Sequence, residues 1–145
     1  MAKVFKTVIE LENYVESACT KAVENACNRL LGTLQELIDT EYYDQFEPDR
    51  YIRSYDFWRS ASTRMLNATC GEIFMASPKM NYNSFWTGEK QLAYASEGYH
   101  GSKDIQTEGR FWDAFIDFCE KNASNILKEE LKKQGVNVKQ ILIYD

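Results

Sequence analysis

The chain is poor in proline and histidine, lacks any long apolar run and has no basic excess. Two prolines in 145 residues leave room for long helices, because proline removes a backbone donor and clashes inside a helix. No apolar stretch approaches the ~18 residues that a membrane span needs. The N-terminus, MAKVFKTVIELENY, turns acidic too soon for a signal peptide, which places the chain in a cytosol. His100 is the one histidine, and the four cysteines (Cys19, Cys27, Cys70 and Cys119) include no C-x-x-C pair. That leaves too few ligands in zinc-binding spacings. Neither G-x-x-x-x-G-K-[ST] nor G-x-G-x-x-G occurs, so the phosphate cradles they build are missing. A formal net charge of −5 argues against a surface that grips nucleic-acid phosphates broadly.

What is present is a core. The composition is 44% hydrophobic and 14% aromatic, far from that of a disordered chain, and the length fits one domain over residues 1–145. In a cytosolic chain the scattered cysteines read as small buried hydrophobes.

Thr7-Val8-Ile9-Glu10 has the form of a capping box. After it, Val8, Leu11, Val15, Ala18, Ala22, Ala26, Leu30, Leu34 and Leu37 recur every three or four residues, predicting one helix to about Thr40. Such a helix is roughly 50 Å long, more than a domain of this size needs. Gly32 could mark a bend in it. Pro48 stops it and suits the first turn of a short helix over 48–60, on which Tyr51, Tyr55 and Trp58 share a face. Residues 63–69 and 72–76, parted by Cys70-Gly71, predict a β-hairpin. Residues 77–88 and 98–109 read as loops, with a short helix over 89–97 between them. Phe111, Phe115, Phe118, Cys119, Ala123, Ile126, Leu127 and Leu131 mark a second long helix. It carries an i, i+4 pair from Glu129 to Lys133 and ends at Gly135 as C-cap. Ile141-Leu142-Ile143 predicts a late strand. The class is α+β: a long N-terminal helix, a small, mainly antiparallel sheet with a β-hairpin, and a second long helix near the C-terminus.

Candidates for chemistry are few. His100, in GYHGS, could act as a general base with a cysteine nucleophile; the plainer role is a loop histidine that hydrogen-bonds or faces solvent. Asp113 and Asp117 sit opposite the apolar face of the last helix, on its solvated side. The densest stretch is residues 46–60, FEPDRYIRSYDFWRS, with five aromatics and three arginines. Aromatic and arginine side chains in such a run can stack bases, pack a core with the arginines paired to carboxylates, or form an interface hot spot.

Pro48, Tyr51, Arg53, Ser54 and Ser60 fall in register with a pattern, roughly P-x-x-Y-x-R-[TS]-G-x-L-x-x-S, that follows a long helix in small neck proteins of long-tailed bacteriophages. Tyr55 stands where glycine is usual and Phe57 where leucine is usual. Glu72-Ile73-Phe74, Lys79-Met80-Asn81-Tyr82, Glu97-Gly98-Tyr99-His100-Gly101, and the helix from Phe111-Trp112 to Leu131-Lys132-Lys133-Gln134-Gly135-Val136 are also similar to that family, over about residues 8–138. The resemblance implies a tail-completion or minor capsid protein, a non-catalytic virion component at the head–tail junction. It implies a homo-oligomeric ring, hexameric in the family, between a portal-side adaptor or head-closure protein and a tail terminator or tail-tube protein. DNA would only pass through its lumen, past an acidic surface that does not hold it. No cofactor, metal or membrane is implied. The structural and interface candidates are Pro48, Tyr51, Arg53, Ser54, Phe57, Trp58, Ser60, Tyr82, Phe85, Trp86, Tyr99 and His100. Arg53 is expected to anchor its segment on a carboxylate or on carbonyl groups. A small cytosolic enzyme built on His100, and a host adaptor that binds one partner through its aromatic face, stay open as alternatives.

Overall fold

A computed structural model describes residues 3–49, 52–80, 84–100 and 104–139. Helix α1 spans Val8–Glu41. Thr7 starts it, its Oγ1 accepting the Glu10 N–H at 3.2 Å. The Glu10 carboxylate accepts the Lys6 N–H at 2.8 Å, one residue further back than the reciprocal bond of a capping box. At 1.5 Å per residue α1 is about 50 Å long, and it runs without interruption through Gly32.

The second long helix, α4 (Phe111–Lys133), lies antiparallel along α1. Near the start of α1, Tyr14 donates its hydroxyl to the Gln134 carbonyl at 2.8 Å. At its other end, the Gly109 backbone lies so close to Glu41 that a Cβ there would sit 1.9 Å from the Glu41 carbonyl oxygen. Between these contacts Ala26, Leu30, Leu34 and Ile38 of α1 share one core with Phe111, Phe115 and Ile126 of α4. The alanines of α1 keep the two backbones close. Gly135, at φ +83°, closes α4: the Gly135 N–H bonds the Lys132 carbonyl and the Val136 N–H the Leu131 carbonyl, each at 3.0 Å. This is the Schellman pattern, which favours glycine at that position.

One carboxylate is buried between the helices. Glu130 accepts Lys133 Nζ at 2.7 Å and Arg29 Nη1 at 2.8 Å, while Arg29 also reaches Glu129 at 2.9 Å. The expected Glu129–Lys133 pair is therefore replaced by Glu130–Lys133, because Arg29 from the neighbouring helix draws both carboxylates. The Lys133 and Arg29 bonds hold the Glu130 carboxyl below the usual carboxylate range despite its burial.

The hairpin consists of β1 (Ala61–Asn67) and β2 (Cys70–Met75), antiparallel, with Asn67 opposite Cys70. Its turn is Ala68-Thr69, closed by the Thr69 N–H on Asn67 Oδ1 at 2.9 Å, and not Cys70-Gly71, which belong to β2. Gly71 serves packing: a Cβ there would lie 2.4 Å from Cys27 Sγ on α1. Helix α3 (Gly88–Ser96) is capped by Thr87. The short helix expected over 48–60 is only Asp56–Ser60, named α2; residues 52–55 are extended or turned, and Tyr55 takes the left-handed conformation at φ +60°. Tyr55 and Trp58 therefore do not share a helical face. Residues 136–139 are irregular, and the strand expected at Ile141–Ile143 lies outside the described residues. Cys27 is buried as expected, whereas Cys70 is exposed. Among the described residues no helix is long and apolar enough to cross a membrane.

Gly32 and Gly109 predict opposite outcomes for the same substitution. A Cβ at Gly32 meets nothing within 4 Å, so Gly32→Ala is expected to stabilise by about 0.5–1 kcal/mol. Gly109→Ala forces Glu41 and the α4 approach apart and is expected to cost ~2 kcal/mol or more. Urea unfolding of both variants beside the parent chain measures the two shifts.

Candidate functional site

The C-terminal end of α1 builds the site. Leu34 and Ile38 continue into Tyr42 at helical spacing, and Tyr42 and Tyr43 are both buried where the helix stops. Around them lies a cleft of about 360 Å³ lined by Tyr42, Tyr43, Arg53, Phe57, Trp86 and His100, among others. Tyr42 lies at the centre of a polar chain. Trp86 Nε1 donates to Gln91 Oε1 at 2.8 Å, Gln91 Nε2 donates to the Tyr42 hydroxyl at 3.0 Å, and that hydroxyl donates to the Tyr99 carbonyl at 3.2 Å. The Tyr42 ring stacks on the His100 imidazole, 4.4 Å between centroids and 11° from parallel, and packs on Phe57 at 4.9 Å.

Tyr43 holds the opposite wall. Its carbonyl accepts Arg53 Nη2 at 2.7 Å, and the guanidinium lies 5.0 Å from its ring centroid. Tyr55 meets the same ring edge-on at 5.1 Å, and the Trp58 N–H donates to the Tyr43 hydroxyl at 3.4 Å. Arg53 thus anchors its segment on a backbone carbonyl within the subunit. Between the Arg53 anchor and the start of α2 at Asp56 the chain turns, and Tyr55 makes that turn in the left-handed conformation.

His100 is 4% exposed. Its Nε2 is in hydrogen-bond contact with Thr107 Oγ1 at 3.1 Å, and Phe46 lies 5.1 Å from its ring. Desolvation, and then the Arg53 charge, push its pKa down to about 4, so it is neutral near pH 7. Burial pushes the Cys27 and Cys119 thiols up, away from the reactive thiolate. Among the described residues no three His, Cys, Asp or Glu side chains converge as a metal would need.

The structure brings Arg53, Ser54, Phe57, Trp86 and His100 to this one cleft. Trp58 faces elsewhere, donating Nε1 to Asp39 Oδ2 at 3.2 Å, and Ser60 is fully buried with its Oγ donating to the Phe57 carbonyl at 2.6 Å. Pro48 is half-buried. Tyr99 packs edge-on against Tyr94 at 5.9 Å, and Phe85 is exposed beneath Lys90 Nζ, 4.9 Å from its ring. Tyr51 and Tyr82 lie outside the described residues. Sequence reasoning missed Tyr42, Tyr43 and Gln91. The signal for Tyr42 was the α1 stripe itself, one turn beyond Ile38.

A buried neutral histidine ties stability to pH. The unfolded chain gains the His100 proton below pH ~6.5, the folded chain only near 4, so stability falls as pH drops between these values. The expected loss is on the order of 2 kcal/mol, at about 1.4 kcal/mol per pKa unit with allowance for residual solvent. As His100 is the one histidine, His100→Gln should flatten this window in urea unfolding. Arg53→Ala should raise the His100 pKa, read from the imidazole signals by NMR titration, and cost about 1–3 kcal/mol in lost hydrogen bond and ring contact.

No curated protein and no solved structure matches the chain. Residues 7–134 match the YomN family, a segment running from the α1 cap through the cleft to the end of α4. The chain therefore belongs to the YomN family, a Bacillus phage-derived family of prophage proteins.

Proposed function

We propose that this phage-family chain is a non-catalytic structural protein of the virion, acting at the head–tail junction as a tail-completion or neck-ring component. The observation that carries the proposal is Tyr55 at φ +60°. That is the position at which the neck-protein pattern has glycine, the residue suited to this conformation. The side chain departs from the pattern while the backbone keeps the shape that glycine serves. Arg53 of the same pattern is spent on the Tyr43 carbonyl, a positioning role. His100 is engaged by Tyr42, Phe46 and Thr107, which favours packing over turnover.

A second feature supports assembly. α1 passes beyond the end of α4, and Val4, Val8, Ile9, Leu11 and Val15 at its start are exposed, Val8 by 69% and Ile9 by 67%. Exposed apolar side chains gathered at one helix end suit an interaction surface; in a ring they would pack on an adjacent copy or on a connector protein. DNA would slide through the lumen without specific contacts.

The test is virion association. Val8→Asp combined with Leu11→Asp touches only exposed positions, so folding stability should stay within about 0.5 kcal/mol, while the variant should be lost from purified particles and from rings. Particles that keep the variant at parental copy number would refute the use of this surface. A parental chain absent from particles, with an activity that His100→Ala abolishes, would overturn the whole reading in favour of an enzyme.

A further inference from the structure

Among the described residues the sheet has two strands, and a lone hairpin is marginal without a further strand or a packed face. One face packs on α1, and among the described residues no strand pairs with the outer edge of β2. The Ala76 N–H bonds the Ser60 carbonyl at 2.7 Å. By antiparallel alternation, Phe74 then bonds toward Ser62 on β1, while the N–H and C=O groups of Ile73 and Met75 point away from it. Beside β2, between it and α3, lies an apolar groove of about 430 Å³ lined by Ile73, Phe74, Met75, Leu92, Ala93 and Trp112, among others. Three consecutive β2 residues line it, as expected of a strand edge, whereas a strand face shows every second residue.

We propose that this groove takes the C-terminal segment Ile141–Tyr144 of a second copy as a third strand, a β-augmentation between subunits. The segment Ile-Leu-Ile-Tyr is rich in β-branched and aromatic residues, the composition that suits a strand. Reach decides which copy supplies it. Lys139 is held beside Lys128, whose Nζ donates to its carbonyl at 3.4 Å. Trp112 lies sixteen residues up α4, about 24 Å along the axis and on nearly the opposite face of the helix. Tyr144, the far end of the segment, is five residues past Lys139, a reach of about 17 Å. That is short of the Trp112 end of the chain's own groove, which favours entry by a neighbour's segment. Head-to-tail exchange of this kind is heterologous and closes into a ring when the rotation permits. In that respect the inference rests on the ring reading.

The test uses full-length chain carrying Ile141→Pro and Ile143→Pro as acceptor, because proline removes the ladder donors from its own segment. The synthetic peptide NVKQILIYD, residues 137–145, is the probe. Saturable binding is expected, with hydrogen exchange at the Ile73 and Met75 amides slowed about tenfold or more and the Trp112 indole signal shifted; the same peptide with both prolines should do nothing. In the parental chain, protection of these amides should rise with protein concentration. Failure of the peptide to bind, or binding without protection at Ile73 and Met75, overturns the proposal. So does protection in the parental chain that is complete and independent of concentration, which would mean that its own segment fills the groove. Rings that form equally well from the proline variant sink the exchange and leave the ring reading standing. Peptide binding by a chain that never enters rings or particles does the reverse.

Discussion

Arg53 reaching the Tyr43 carbonyl, at 2.7 Å, is the contact on which the cleft end of the molecule depends. Tyr43 lies just past α1 in a single 3-10 turn, and its carbonyl accepts this charged donor besides the Phe46 N–H at 3.4 Å. That bond draws residues 52–55 back against the end of α1, turns the chain at Tyr55 and launches α2 with Phe57 beneath the Tyr42 ring. With Tyr42 held, its hydroxyl joins Gln91 to the Tyr99 carbonyl, which ties α3 and the following loop to the same point. The Arg53 charge then acts on His100 across the cleft. One side chain thus sets backbone path, ring packing and local electrostatics together.

The two ends of α1 are built differently. Toward its middle and start, the helix pair is joined by aliphatic side chains and by the Arg29–Glu130–Lys133 group, whose carboxylate is buried while its cations reach water. At its end, rings and a neutral hydrogen-bond chain do the joining. High salt weakens exposed ion pairs most, so ionic strength acts mainly on the first region and leaves the aromatic one intact.

The helices were legible because their signals are local. Thr7, the stripe from Ala18 to Leu34 and Gly135 each act within a few residues of the structure they specify. The failures share one cause, a partner distant in sequence. Tyr51, Tyr55 and Trp58 have helical spacing, but the Arg53–Tyr43 bond turns the chain between them. Gly71 resembles a turn residue, yet it is small so that Cys27 of α1 can lie against β2. Glu129 and Lys133 are correctly spaced for each other, but Arg29 arrives from another helix. At the site, Arg53 and His100 stood out as rare residues in an aromatic run. Tyr42, Tyr43 and Gln91 were hidden, because their partners arrive from later segments: α3 and the loop after it join Tyr42 and Gln91, and residues 53–58 close on Tyr43.

The burial of His100 also keeps imidazole out of the chain's response to mild acid. With its one histidine uncharged near neutrality, the chain carries its formal charge of −5 without a contribution from imidazole. Mild acidification toward pH 5 does not relieve the repulsion between approaching acidic surfaces through that group. Dissolved cations do so at any pH, by shortening the screening length to about 8 Å at physiological ionic strength. Dissolved salt, rather than mild acidity at His100, is then what moderates repulsion between this acidic surface and any other.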